Sequence, residues 1–200
     1  MPLLAPVAAM ALIVMLSNIG VQFPVAGGWL TWGAFAYPFA FLVTDVANRI
    51  GGPDVARRVV LGGFAAGLLC SLVGTQVEGA WGPLVTPRIA LGSAVAFLAA
   101  QATDIALFSA LRHKRWWVAP LASTLLGSTL DTAVFFTIAF AGFLAFPAAW
   151  GDVAWAQEPT ALGPHWVALA VADWTVKLAV ALLALAPFRW ITARYAQPVA

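Results

Sequence analysis

The run from Pro120 to Phe143 reads PLASTLLGSTLDTAVFFTIAFAGF. Its residues are apolar or small and hydroxylated, with a single charged side chain, Asp131. A helix needs roughly 20 mostly apolar residues to cross the hydrocarbon core of a bilayer. The segment therefore predicts a transmembrane helix with a carboxyl group near its middle.

Five similar runs occur along the chain, separated by short segments that contain glycine, proline or basic residues. The composition agrees, since 62% of the residues are hydrophobic and 9% are charged, whereas a soluble domain is about half apolar and a quarter charged. The sequence therefore predicts an all-α integral membrane protein, with residues 1–200 forming one bundle of six transmembrane helices. The predicted spans are Leu3–Val21, Leu30–Asn48, Val55–Gly74, Ile89–Leu111, Pro120–Phe143 and Trp166–Trp190.

The basic residues predict the orientation, because short cytoplasmic loops carry an excess of Lys and Arg. Eight of the ten lie at the end of the second, fourth or sixth span or shortly after it: Arg49, Arg57, Arg58, Arg112, Lys114, Arg115, Arg189 and Arg194. The opposite loops contain only Arg88. This distribution predicts that both termini are cytoplasmic. It also argues against a nucleic-acid partner. The net charge is only +2, and the basic residues lie in short loops between apolar runs.

Several ionisable residues lie within the predicted spans, where they are costly and by default face the bundle interior and serve function. Asp131 has no cation within a helical turn and is the strongest candidate for binding a substrate. Gln101 and Asp104 share one face of the fourth span, and Asp173 and Lys177 form an i, i+4 pair in the sixth. Polar groups that converge from three helices predict a buried site for a small polar molecule, and hence transport.

Two interpretations stay open for the lysine of the sixth span. Lys177 and Asp173 could form a purely structural bridge, or Lys177 could pair with Asp131 or Asp104 and be released when substrate binds. The second span contains a further i, i+4 pair, Asp45 and Arg49. We interpret that pair as a structural charge pair at the cytoplasmic end of the helix.

The sequence gives little indication of enzymatic chemistry. His113 and His165 lie in or beside loops, so Ser128 has no histidine at its depth to act as a base. Asp104 and Asp131 could in principle form an aspartyl pair, but no flanking glycine pattern accompanies them. No nucleotide-binding G-x-x-x-x-G-K-[ST] motif occurs, and metal-ligand spacing is absent. We therefore predict a non-enzyme without cofactor or metal; a channel is disfavoured because no continuous polar face is evident.

Several of these residues stand in motifs that resemble the bacterial queuosine-precursor transporter family, a vitamin-uptake-transporter-like group. The resemblance extends from Ser17 to Lys177. It rests on motifs that include Thr31-Trp32-Gly33-Ala34-Phe35, Tyr37-Pro38-Phe39, Gln101-x-x-Asp104, Asp131-Thr132 and Asp173-x-x-x-Lys177.

The resemblance implies import of 7-cyano-7-deazaguanine and 7-aminomethyl-7-deazaguanine across the bacterial cytoplasmic (inner) membrane. A guanine-like edge presents two adjacent N–H donors and a carbonyl acceptor, which protein carboxylates and amides can read. Asp131 or Asp104 could accept the two N–H groups. The residues that could donate to the carbonyl are Gln101, Asn18 and Gln22, and those that could stack on the base are Trp32, Phe35, Tyr37 and Phe39.

The resemblance leaves the mode of action open. The chain could act alone, by facilitated transport or by proton coupling through Asp131 or Asp104, and this is the reading we favour. Alternatively, it could be the substrate-binding subunit of a multi-component vitamin or nucleobase uptake system that needs a separate ATP-driven module. The expected partners are the lipid bilayer and the small-molecule deazaguanine, and a homodimer is possible.

Overall fold

A computed structural model describes residues 3–20, 23–79 and 82–195. Within these residues the chain forms seven α-helices, and short antiparallel β-hairpins occupy three of the loops. The helices are α1 (Leu4–Gly20), α2 (Trp32–Ala36), α3 (Phe39–Gly51), α4 (Pro53–Gly74), α5 (Pro87–Leu111), α6 (Val118–Phe140) and α7 (His165–Ala193). The hairpins pair β1 (Pro24–Val25) with β2 (Leu30–Thr31), β3 (Glu78–Gly79) with β4 (Gly82–Pro83), and β5 (Pro159–Thr160) with β6 (Gly163–Pro164).

Four of the described helices, α4 to α7, are long and apolar enough to cross a membrane. They coincide with the third to sixth predicted spans, which supports a multi-pass helical membrane protein. Pro53 and Pro87 begin α4 and α5 two residues before the predicted starts, because a helix tolerates proline in its first turn. Helix α6 ends at Phe140, three residues early, where the backbone of Ala141 becomes extended.

The second predicted span, Leu30–Asn48, is wrong as one continuous helix. Leu30 and Thr31 belong to a hairpin, and the helix is interrupted after Ala36. Pro38 explains the interruption, since it has no N–H group to donate to the carbonyl one turn earlier. Helix α3 has 13 residues and α1 has 17, both short of the roughly 20 that a span needs. Six crossings therefore stay a prediction.

Polar and charged side chains lie inside the bundle among apolar ones, and large apolar side chains also cover its outer surface. Leu61, Leu69 and Leu183 are 60%, 64% and 74% exposed on the outer surface. The fully or nearly buried polar and charged side chains include Asp45, Asn48, Gln101, Asp104, Asp131 and Lys177. Because leucine is stable against lipid whereas an exposed ionised group is costly there, this distribution suits a protein surrounded by a bilayer.

Small residues allow the central helices to approach one another closely. A Cβ atom added at Gly92 of α5 would lie 3.3 Å from the Phe135 carbonyl oxygen of α6. A Cβ atom added at Gly127 of α6 would lie 2.8 Å from the Phe41 ring and 3.3 Å from the Ala100 carbonyl oxygen. Helix α6 is therefore held tightly against α5 and α3, and the polar residues of these helices face one another.

We name the two ends of the bundle by their loops. The hairpin end contains the loops with the three hairpins, and the basic end contains the α3–α4 connection and the loop from Arg112 to Arg115. At the basic end, the Arg49 guanidinium donates to the Arg112 carbonyl oxygen over 2.7 Å. The carboxyl-terminal ends of α3 and α5 are thereby joined.

Candidate functional site

A buried ion cluster lies between α6 and α7, with Lys177 at its centre. The Lys177 Nζ atom lies 2.7 Å from Asp131 Oδ2 and 2.5 Å from Asp173 Oδ2. It also donates to the Thr132 hydroxyl over 3.0 Å, and that hydroxyl donates to Asp173 over 3.0 Å. Lys177 is 3% exposed and Asp131 is 5% exposed. The pairings of Lys177 with Asp173 and with Asp131 that the sequence left open thus occur together.

Tyr37, between α2 and α3, completes the cluster. Its hydroxyl donates to Asp131 Oδ1 over 2.9 Å, and its ring centroid lies 5.3 Å from Lys177 Nζ. Each carboxylate oxygen of Asp131 therefore has one partner, the tyrosine or the lysine. Tyr37 immediately precedes Pro38 at the interruption between α2 and α3. From the sequence, Tyr37 was predicted only as a stacking residue. The adjacent Pro38 was the one signal that the backbone changes direction there.

A cavity of about 470 Å³ borders this cluster, within the range typical of small-molecule sites. Tyr37, Asp131, Asp173 and Lys177 form its charged wall. Asn18 and Ser17 of α1 add polar groups on the opposite side. Most of the remaining surface is apolar, and its aromatic residues include Phe64, Phe97, Phe135, Phe136 and Phe140. The cavity thus combines an apolar body with a few convergent polar groups.

The cavity extends to the hairpin end of the bundle, where aromatic rings surround it. The ring centroids of Trp29 and His165 lie 5.2 Å apart, and those of Trp155 and His165 lie 6.0 Å apart. Leu84 and Val85 from the α4–α5 loop also line this region. Residues from all three hairpin-containing loops therefore meet around the same cavity.

The basic end is closed by direct contacts between helices. The Asn48 side chain donates to the Ile105 carbonyl oxygen over 3.2 Å and to the Ser109 hydroxyl over 3.1 Å. The rings of Phe108 and Phe188 pack edge to face, with centroids 6.1 Å apart. The cavity therefore reaches the hairpin end, whereas helix contacts separate it from the basic end.

The predicted structural charge pair between Asp45 and Arg49 is wrong. In the described part of the chain, these two side chains form no ion pair with each other. Asp45 accepts hydrogen bonds from Ser123 over 3.1 Å and from Thr124 over 3.2 Å, both on α6. Arg49 instead reaches the Arg112 carbonyl oxygen, one of the carbonyl groups that a helix end leaves without an intrahelical partner.

The structure separates the other predicted binding residues into two groups. Asn18 lines the cavity, but among the described residues Gln101, Asp104, Trp32 and Phe35 do not. Gln101 and Asp104 are fully buried nearer the basic end. Trp32 and Phe35 are 59% and 37% exposed and contact each other, because the opposite face of α2 is the one that meets the cavity. Gln22 lies outside the described residues.

Sequence reasoning missed most of the aromatic lining of the cavity. Trp29 and Trp155 lie in loops, and Phe64, Phe97 and Phe136 lie on three different helices. Phenylalanine also faces lipid and fills cores, so its presence in an apolar run carries no signal for a ligand site. Only the helix packing distinguishes these rings from lipid-facing ones such as Phe143, which is 75% exposed.

Comparisons with known proteins are informative over most of the chain. Residues 31–191 match the profile of a family described as "Putative vitamin uptake transporter". The chain is 35% identical over 189 residues to the queuosine precursor transporter of Escherichia coli K12, covering 88% of this chain and 79% of that protein.

Two further relatives carry the name "Probable queuosine precursor transporter". The Haemophilus influenzae protein is 32% identical, covering 78% of this chain and 66% of its own length. The Bacillus subtilis protein is 30% identical, covering 78% and 68%. No solved structure matches the chain.

Proposed function

This chain belongs to the vitamin uptake transporter family, and on that premise we propose that it imports the 7-deazaguanine precursors of queuosine. The observation that carries the proposal is the Tyr37–Asp131–Lys177–Asp173 cluster on the wall of an aromatic cavity. The names of the three relatives support the cargo. The family is one of transporters rather than enzymes, which agrees with the absence of catalytic motifs in the sequence.

Asp131 and Lys177 are complementary to the edge of a guanine-like base. That edge presents two adjacent N–H donors, which suit a carboxylate, and a carbonyl oxygen, which suits an ammonium group. In the present arrangement Tyr37 and Lys177 occupy the two oxygens of Asp131. We infer that the base displaces both, accepting a hydrogen bond from Lys177 while it donates to Asp131.

Asp173 lowers the free-energy cost of this exchange. It holds Lys177 through its own ion pair and through Thr132, so that the ammonium keeps a counter-charge when Asp131 turns to the substrate. Breaking a buried pair without such compensation costs about 3–5 kcal/mol. A cluster with two carboxylates and one ammonium can therefore open without leaving Lys177 unpaired.

The aromatic lining also contributes to substrate binding, by stacking. A planar base gains about 1–3 kcal/mol by stacking on an aromatic side chain in nucleic-acid sites. Phe64 and Phe97 already stack with ring planes 30° apart, and Phe135 and Phe136 face the cavity from α6. An aromatic ring stacks on any planar base. The hydrogen bonds to Asp131 and Lys177 therefore distinguish the deazaguanine from other bases.

We further propose that the basic end faces the cytoplasm and the hairpin end faces outward in the bacterial inner membrane. The excess of Lys and Arg at the basic end supports this orientation. The cavity would then be open to the outside and closed to the cytoplasm, as an importer awaiting its substrate requires. The single chain suffices for transport in this proposal; a subunit of an ATP-driven system would instead bind the precursor without moving it.

Binding by the purified protein tests the proposed cargo. A ligand that binds only the folded state raises its free energy of unfolding, by about 2.7 kcal/mol at a concentration one hundred times its Kd. We expect 7-cyano-7-deazaguanine to raise the Tm by several degrees and riboflavin to leave it unchanged. A shift with riboflavin and none with the deazaguanine would refute the cargo while leaving the transporter family intact.

A further inference from the structure

A second buried acidic site lies between the cavity and the basic end. It contains Asp45 of α3 and Asp104 of α5, which are 2% and 0% exposed and interact electrostatically. Asp45 is held by the hydroxyls of Ser123 and Thr124. We call Asp45 and Asp104 the inner acidic pair. It is separate from the Lys177 cluster, and the contacts described above leave it without a function.

Several buried polar atoms on α5 and α6, two of them in the inner acidic pair, make no hydrogen bond of ordinary geometry. In the described part of the chain these atoms are both carboxylate oxygens of Asp104, the Gln101 Nε2 atom and the Ser128 hydroxyl. A Cβ atom added at Gly127 would lie 3.5 Å from the Asp104 Cβ atom, so Asp104 faces α6 directly. Asp104 also interacts with the Asp45 carboxyl group and the Ser123 hydroxyl. A hydrogen bond between two buried carboxyl groups needs a proton on one of them, which points to a bound proton.

No cation among the described residues neutralises the pair. On α3, the Arg49 guanidinium feels the charge of Asp45 but donates to the Arg112 carbonyl oxygen. On α5, Arg112 donates to the carbonyl oxygens of Asn48 and Arg49. On α7, Lys177 is held by Asp131 and Asp173.

The neighbouring helices α6 and α4 supply no cation to the inner acidic pair either. Near the pair, α6 presents Ser123, Thr124 and Ser128, and the charged residues of α4 lie at its exposed beginning, where Arg57 pairs with Asp54. Two adjacent carboxyl groups in such surroundings cannot both be ionised without strong repulsion. These surroundings favour a proton on at least one of the two carboxyl groups.

The space beside the pair suits a proton better than a metal ion. A void of about 10 Å³ adjoins Asp45 and Thr124, and roughly 10–15 Å³ is needed for a single water molecule. A hydrated ion does not fit there without rearrangement. The proton would be carried as the O–H group of one carboxylic acid and accepted by the other carboxylate.

We propose that the inner acidic pair binds a proton that is transported with the precursor, a role that rests on the proposed function. Helix α3 connects the two sites, since Tyr37 precedes its start and contacts Asp131, whereas Asp45 lies about 12 Å further along. The proton is taken from water on the outer side and released to water on the cytoplasmic side, with no other bond changed. Once it leaves, the two carboxylates repel each other and separate α3 from α5, which opens the basic end.

Accumulation driven by a pH gradient tests the proposal in proteoliposomes that contain the full chain. With one proton per neutral substrate, a gradient of one pH unit supports at most about tenfold accumulation of labelled 7-cyano-7-deazaguanine. We expect the wild-type protein to accumulate the precursor when the outside is acidic, and a protonophore to abolish this accumulation. Asp104→Asn should still bind the precursor and exchange it across the membrane, but should accumulate none. Asp54→Asn, at an exposed pair, is the matched control and should behave as wild type.

The outcomes separate this proposal from the proposed function. Binding and exchange without any response to the pH gradient, or accumulation driven by a sodium gradient, would overturn the proton site alone. Full gradient-driven accumulation by Asp104→Asn would do the same. Absence of both binding and exchange in the wild type would overturn the proposed function and this inference with it. If Asp104→Asn does not fold, Asp45→Asn and the wild-type gradient response decide the question.

Discussion

Replacing Asp131 by asparagine will weaken the binding of 7-cyano-7-deazaguanine by about 100-fold or more. An asparagine side chain offers one acceptor oxygen, and its amide group would confront the second N–H donor of the base. Hydrogen bonds to charged groups contribute about 1.5–3 kcal/mol each, and 2.7 kcal/mol corresponds to about 100-fold in Kd. Isothermal titration of the purified variant measures the change.

The protein should tolerate this substitution. Lys177 keeps its ion pair with Asp173, and Tyr37 can still donate to the asparagine oxygen. The matched control is Glu158→Gln, which changes an exposed acid in the loop at the hairpin end without touching the cluster. An Asp131→Asn variant with wild-type affinity would show that the base binds elsewhere in the cavity.

Replacing Lys177 by methionine will lower both stability and binding. The variant leaves Asp131 and Asp173 buried together without their shared cation, and breaking a buried pair costs about 3–5 kcal/mol. For a chain of this length we expect the Tm to fall by about 10 °C. Thermal unfolding in detergent measures this fall, and the same sample should show no deazaguanine binding.

Two comparison variants test whether the loss of stability comes from the buried charges. Arg57→Met removes the exposed partner of Asp54 and should leave the Tm nearly unchanged, because surface pairs contribute little. The double variant Lys177→Met with Asp173→Asn should regain part of the lost stability, because it removes one of the two uncompensated carboxylates. A Lys177→Met variant as stable as Arg57→Met would mean that the cluster carries no buried charge.

The long apolar runs made the third to sixth spans predictable. They contain one to three charged residues each, and proline or glycine lies at most of their ends. The interruption at Pro38 was harder to predict, since proline is tolerated in some membrane helices when neighbouring groups satisfy the freed backbone. In this chain it lies directly after Tyr37, and only the folded bundle shows that the tyrosine hydroxyl reaches Asp131.

Helical spacing predicted which residues share a face but not which helix they meet. For Lys177 the spacing left a pair with Asp173, Asp131 or Asp104 open, and the structure shows pairs with Asp173 and Asp131. Asp45 and Arg49 have the same spacing, yet the hydroxyls of α6 lie closer to Asp45. Gln101 and Asp104 share a face that turns toward α3 and α6 instead of the cavity. Rotation and register between helices decide such contacts, and one sequence does not contain them.

In the proposed function, this single chain carries deazaguanine precursors inward. The most direct test is uptake of labelled 7-cyano-7-deazaguanine by bacterial cells that lack their own transporter and produce this chain. We predict rapid uptake that excess unlabelled precursor suppresses, and no uptake with Asp131→Asn at an equal membrane level. Absence of uptake by the wild-type chain, with the protein present in the inner membrane, would contradict the claim.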